Sequence, residues 1–185
     1  MVYILLGTGF EEAEALVAAD VLRRANLPVT LAGIGGAAVT GSHGITVQAD
    51  RPVEAVELAG GDMVVLPGGL GGVDSIEHSG SAMALIRRAA EDPGCWLAAI
   101  CAAPTLLARA GLLDQGVRCV CYPGMEAELA RAGAAPEMDR SVVAEGRLIT
   151  GRGPGSAFDF ALALAEALAG PDTAQQVRGA LHYGV

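Results

Sequence analysis

Short aliphatic runs that stop at glycine or proline alternate with longer amphipathic stretches, and this alternation constrains the fold more than any other feature of the sequence. Val2–Leu6 stops at Gly7, Met63–Leu66 stops at Pro67-Gly68-Gly69, and Cys95–Ile100 runs directly into Cys101-Ala102-Ala103-Pro104. Val29–Ala32, Val117–Cys121, Val142-Val143 and Leu148–Thr150 complete the predicted strands, with a hairpin or edge strand over Val39–Val47. Helices are predicted over Glu11–Ala25, Pro52–Ala59, Ser79 or Ser81 to Ala90, Ala102–Ala110, Met125–Ala132, Ser156–Leu168 and Asp172–Ala180. Strands alternating with helices of this length give βαβ units. The expected class is α/β, a mostly parallel twisted sheet sandwiched by helices. Ligands of such sheets bind beyond the carboxyl ends of the strands. The length of 185 residues suits one substantial core, and no linker-like stretch interrupts it, so a single domain over 1–185 is expected.

Composition narrows the partners. Hydrophobic residues make up 52% and charged residues 18% of the chain, the reverse of a disordered composition. The formal net charge is −9, from 12 basic and 21 acidic residues. That balance argues against nucleic acid and against an anionic membrane surface, both of which require clustered positive charge. No apolar run approaches the length of a membrane span, and residues 1–6 are too short for a signal peptide, so a cytoplasmic protein is expected. Cys95, Cys101, Cys119 and Cys121 show neither C-x-x-C spacing nor a paired-histidine zinc pattern. Reduced thiols and no metal are the expectation.

Three segments carry the chemistry. Ile100-Cys101-Ala102-Ala103-Pro104 passes from strand to helix with no spacer, which forces a tight turn at Cys101 like the nucleophile elbow of hydrolases. A thiol there faces a helix N-terminus, whose N–H groups favour a thiolate. A buried structural cysteine is an equal alternative from the pattern alone. Leu66-Pro67-Gly68-Gly69-Leu70-Gly71-Gly72 offers unobstructed backbone N–H groups for an oxyanion, yet lacks dinucleotide or P-loop spacing; a plain turn is its alternative. In Gly9-Phe10-Glu11-Glu12-Ala13-Glu14, acids open a helix as ordinary charge placement. Glu14, one turn in, is placed to reach across the strand ends and hold a proton beside a thiol.

Taken together, Gly9–Glu14, Leu66–Gly69 and Ala99–Pro104 resemble the ThiJ/PfpI superfamily, in particular the branch of the Parkinson-disease-associated deglycase and its bacterial relatives. Thr150–Ser156 followed by Phe158–Leu162 is similar to that branch's last loop and helix. The resemblance implies a flavodoxin-like, class I glutamine-amidotransferase-like fold with its nucleophile elbow at Cys101. It implies that Cys101 is the nucleophile, Glu14 the acid that contacts it, and the backbones of Gly69 and Ala102 the anion-stabilising positions. Gly68, Tyr122, Arg152 and His43 are implied as pocket residues, and Asp20 and Arg24 as neighbours of a homodimer contact. Two positions depart from the pattern. His43 stands where relatives carry arginine, and Tyr122 stands where the human type carries histidine. A phenol hydrogen-bonds but is a poor base near neutral pH, so the usual Cys-His-acid set is incomplete. His78 and His182 lie in no matching motif.

The function this implies is a cysteine-dependent, cofactor-free glyoxalase or deglycase-like enzyme acting on small α-oxoaldehydes or their early glycation adducts. The alternative is an oxidative-stress sensor or chaperone-like protein built on the same cysteine. Peptidase-like, amidotransferase-like and isonitrile-hydrating branches also exist; a Thr or Asp bonded to the thiol would point to them.

Overall fold

The sequence's β-branched and aliphatic runs pair into a sheet of seven strands. The structure, a computed structural model, describes residues 1–184. In chain order the elements are β1 (Val2–Leu6), α1 (Glu12–Arg24), β2 (Val29–Gly33), β3 (Ala38–Thr40), β4 (Thr46–Gln48), β5 (Arg51–Pro52), β6 (Met63–Leu66), α2 (Leu70–Glu77), α3 (Gly80–Glu91) and β7 (Trp96–Ile100). They continue with α4 (Ala103–Arg109), β8 (Arg118–Cys119), α5 (Glu126–Arg131), β9 (Ala135–Pro136), β10 (Val142–Glu145), β11 (Leu148–Gly151), α6 (Ala157–Ala169) and α7 (Pro171–Ala180). The main sheet runs β10-β11-β7-β6-β1-β2-β5. All its pairings are parallel except the β10–β11 hairpin.

Strand period two explains why both faces are apolar. Tyr3, Leu5, Val64, Leu66, Leu97 and Ala99 point into one core, beneath α2 to α5. Val2, Ile4, Leu6, Met63, Val65, Ala98 and Ile100 point into the other, against α1, α6 and α7. Near-continuous apolar strands are what a parallel sheet covered on both sides requires. The chain leaves β1 toward β2 on one side, while β6 pairs with β1 on the other. This reversal opens a crevice at the carboxyl ends of β1, β6 and β7, where ligands of such sheets bind.

Most expected elements are present, including the hairpin (β3 with β4). Three differ. The helix expected over Pro52–Ala59 is a single 3-10 turn at Val53–Ala55, preceded by the edge strand β5. The strand expected over Val117–Cys121 shortens to β8, which pairs with β9 outside the main sheet. The glycine-rich segment after Pro67 is a turn only as far as Gly69; from Leu70 it is α2, whose small glycines let the helix lie against the Gly9-Phe10 backbone, where a Cβ on Gly72 would come within 2.6 Å of Phe10 Cα. Among the described residues no helix is long and apolar enough to cross a membrane.

Candidate active site

Cys101 follows β7 without a spacer, and its backbone takes φ +65°, the left-handed region, although it is not glycine. Such a conformation costs about 1–2 kcal/mol for an L-residue. Two hydrogen bonds hold it: Cys101 N–H donates to Gly151 O at 2.9 Å, and Tyr122 N–H donates to Cys101 O at 2.8 Å. The small Ala102 and Ala103 that follow are both buried. The side chain is thereby turned toward the loop after β6 and the first turn of α1.

Glu14 meets it there. The residue is 1% exposed, and its Oε2 accepts the Gly68 N–H at 2.6 Å. A Cβ on Gly68 would lie 2.6 Å from Cys101 Cβ, 2.8 Å from Glu14 Oε2 and 3.0 Å from Cys101 Sγ. Thiol and carboxyl therefore share the space that glycine leaves open. Their closeness couples the titration of carboxyl and thiol. Yet no S–H···O bond of ordinary geometry closes, and Oε1 stays buried without a partner among the described residues. Burial raises the Glu14 pKa to about 7, against the opposing pull of the Gly68 N–H. A carboxyl near that value exchanges a proton at neutral pH.

Burial also pushes the Cys101 thiol up, to about 12, and the neighbouring Glu14 charge adds to the effect. The backbone N–H groups of Ala102 and Gly69 near the sulfur pull the other way. The N–H groups expected from the helix position are there, with desolvation and a facing acid set against them. α4 has only seven residues, so its dipole offers little.

Gly69 sits at φ +81°, and a Cβ there would come within 2.3 Å of Gly9 O. Only glycine lets the β6–α2 loop close onto the β1–α1 loop, where Glu11 N–H donates to Gly68 O at 2.9 Å. Tyr122 is 46% exposed. It borders, with Arg152, Ser141 and Pro154, a cavity of about 370 Å³ that Cys101 itself does not line. His43 does not line that cavity. It is bound on the β3–β4 turn, its Nδ1 3.0 Å from Glu12 Oε2. Asp20 and Arg24 are exposed and pair with each other at 2.8 Å. Neither Thr nor Asp bonds the Cys101 thiol among the described residues.

Two contributors escaped the sequence reading. Glu12, read as ordinary helix-start charge, is 3% exposed and clamps the β3–β4 turn. Thr150, fully buried, accepts Val120 N–H at 2.9 Å through Oγ1 and so fixes the segment that brings Tyr122 to Cys101. A carboxylate flanked by glycines across a turn gives no linear signal; nor does a threonine in a β-run.

Glu11, Glu12 and His43 have ligand atoms within 4.8 Å of one another. The Glu12 oxygens there already accept from N–H and O–H donors, so the cluster is a hydrogen-bonded clamp. All four cysteines are free, and Cys95, Cys119 and Cys121 are buried.

A doubly covered parallel sheet with a cysteine at a strained strand-to-helix elbow, facing a buried acid from the neighbouring loop, defines a class of α/β cysteine proteins. The chain belongs to the DJ-1/PfpI family, whose model matches residues 1–167. It is 44% identical over 175 residues to Protein dj-1beta of Drosophila melanogaster, covering 94% of this chain and 92% of that protein. The crystal structure of Drosophila melanogaster DJ-1beta superposes with TM-score 0.90 at 40% identity, over 100% of this chain and 98% of that one. The glutathione-independent glyoxalase DJR-1.2 of Caenorhabditis elegans is 32% identical over 162 residues, 88% of this chain and 84% of that protein. An oxidized Toxoplasma gondii DJ-1 structure matches with TM-score 0.91 at 31% identity, over 100% of this chain and 98% of that one.

Proposed function

We propose that this protein is a cysteine-dependent glyoxalase or deglycase-like enzyme acting on small α-oxoaldehydes or their early adducts. The observation that carries the reading is Glu14, a buried carboxyl raised to about 7 that faces the thiol at the elbow. The chain contains no lysine, so an imine on a lysine side chain is not available. That leaves sulfur as the nucleophile for an aldehyde carbon.

In the proposed reaction, the Cys101 sulfur attacks the aldehyde carbon while the thiol proton passes to the Glu14 carboxylate. The C=O π pair becomes an oxyanion, stabilised by the N–H groups of Gly69 and Ala102. Protonation of that oxyanion gives a hemithioacetal. Glu14 then moves the carbon-bound proton from C1 to C2 through an enediolate, leaving a thioester of the 2-hydroxyacid. Water cleaves the thioester, releasing the hydroxyacid and restoring the thiol. No electron leaves the substrate, because C1 is oxidised as C2 is reduced.

The sensor reading ranks second. It uses the same thiol and the same acid, with oxidation proceeding through the thiolate. A homodimer in a reducing compartment belongs to the same proposal, with Asp20 and Arg24 on an exposed face. Conversion of methylglyoxal to lactate, followed by NMR in wild type, C101A and E14Q, tests the reading. Loss in both variants supports it; undiminished turnover by C101A defeats it.

A further inference from the structure

The cavity between Tyr122 and Arg152 adjoins the backbone partners of the nucleophile, which does not itself line it. Tyr122, which donates its N–H to Cys101 O, forms one wall. Arg152, next after the Gly151 whose carbonyl accepts the Cys101 N–H, forms the other. Ser141 closes the side, held by the Arg152 N–H on its carbonyl at 2.9 Å. The volume of about 370 Å³ accommodates a small organic acid, and no acidic residue lines it.

Its polar groups are donors waiting for an acceptor. Among the described residues, the Tyr122 and Ser141 hydroxyls and the Arg152 guanidinium make no side-chain hydrogen bond or ion pair. The contrast with the other arginines is informative. Arg23, Arg24, Arg109 and Arg118 pair with carboxylates, Arg147 and Arg178 stack on rings, and others bond carbonyls. Arg51 is likewise unpaired, but it lies on an edge strand and does not line this cavity. In a chain with a large acidic excess, an unpaired arginine next in sequence to the nucleophile's backbone partner has the charge and fork to take a carboxylate.

We propose that Arg152, with the Tyr122 and Ser141 hydroxyls, forms a carboxylate-recognising subsite, so that the preferred α-oxoaldehydes carry a carboxylate on the far side of the ketone carbon. This deepens the enzymatic reading above and rests on it for the word substrate; the subsite itself is a binding property. Tyr122 then serves selection: at the position where the human type carries histidine, it supplies a neutral donor to the bound carboxylate.

The test uses two alkylating probes of nearly equal size. Iodoacetate carries a carboxylate and iodoacetamide does not. Their rate constants for Cys101 are measured by peptide mass spectrometry at pH 6, in wild type, Arg152→Gln and Arg152→Lys. The iodoacetate-to-iodoacetamide ratio is expected to fall about five-fold in R152Q, the scale of one exposed ion pair, and less in R152K, which keeps the charge. A ratio unchanged in R152Q overturns the subsite. Alkylation needs no turnover, so the two readings fail separately. A falling ratio with no aldehyde consumed removes the enzyme and keeps the subsite; methylglyoxal turnover with a constant ratio does the reverse.

Discussion

Glu12 and His43 are joined twice, the His43 backbone N–H donating to Oε1 at 2.8 Å while ring Nδ1 lies 3.0 Å from Oε2. Ile45 N–H adds a bond to Oε1 at 3.3 Å, and a Cβ on Gly41 would strike the same carboxyl. The β3–β4 turn is thus docked on the first turn of α1, the turn that carries Glu14. Burial alone would raise the Glu12 pKa; bonds from its own backbone N–H, from His43 and from Ile45 override that and hold it at about 2. A depressed acid contributes stability above its unfolded value of 4.5, and that stability is lost as pH falls toward about 2. Urea melts between those values are expected to show a decline in wild type that is much reduced in E12Q. Glu12→Ala, which removes the charge-assisted bonds from the His43 and Ile45 N–H groups, is expected to cost about 1.5–3 kcal/mol near neutral pH.

Glu14 carries the opposite sign. Its folded pKa is raised, from 4.5 to about 7, chiefly by burial. The stability linked to its proton is fully present below 4.5 and is lost as pH rises through about 7. A shift of that size corresponds to about 3 kcal/mol. Wild type should therefore weaken across this window, and E14Q, neutral throughout, should not. Matching slopes in both proteins would show that Glu14 does not carry the buried proton.

The parallel sheet was legible because its strands are apolar on both faces and are punctuated by glycine and proline. The elbow was legible because strand and helix abut at Cys101 with no residue between them. What escaped depended on contacts distant in sequence. Pro52–Ala59 has a helical start but only Val53 and Val56 to bury, too little to extend one turn of 3-10 helix. Val117–Cys121 has strand composition, yet the main sheet's edge was already filled by β10, which β11 pairs locally through the Glu145-Gly146 turn. Glu14 was legible as the acid that reaches Cys101, from its place one turn into the first helix; the burial that raises the thiol was not, because it depends on packing from several loops.

Gly68 tests whether the thiol and the acid act as a unit. An added methyl would lie within 3.0 Å of Cys101 Sγ and closer still to Glu14 Oε2, so one of the two must move. Gly68→Ala is expected to lower the rate of Cys101-dependent turnover by at least ten-fold, while circular dichroism retains the wild-type content. It should also shift the pH profile of Cys101 alkylation toward that of E14Q. Unchanged alkylation across the pH range would mean that the carboxyl and the thiol tolerate separation.

The left-handed backbone at Cys101 predicts an inversion of the usual order of stability between alanine and glycine. At an ordinary position glycine is the less stable of the two, because its unfolded chain has more freedom to lose, by about 0.5–1 kcal/mol. At φ +65° alanine bears the left-handed penalty of about 1–2 kcal/mol and glycine does not. Cys101→Gly should accordingly be more stable than Cys101→Ala by about 1 kcal/mol in urea denaturation. Neither variant keeps the sulfur, so the difference isolates the backbone from the chemistry. If alanine proved the more stable, the elbow would have relaxed once the side chain was removed, and the strain would be imposed by the thiol's contacts with Gly69, Ala102 and Glu14. If glycine is the more stable, the hydrogen bonds from Cys101 to Gly151 and from Tyr122 to Cys101 hold the turn whatever side chain it carries, and the fold presents the nucleophile already aimed.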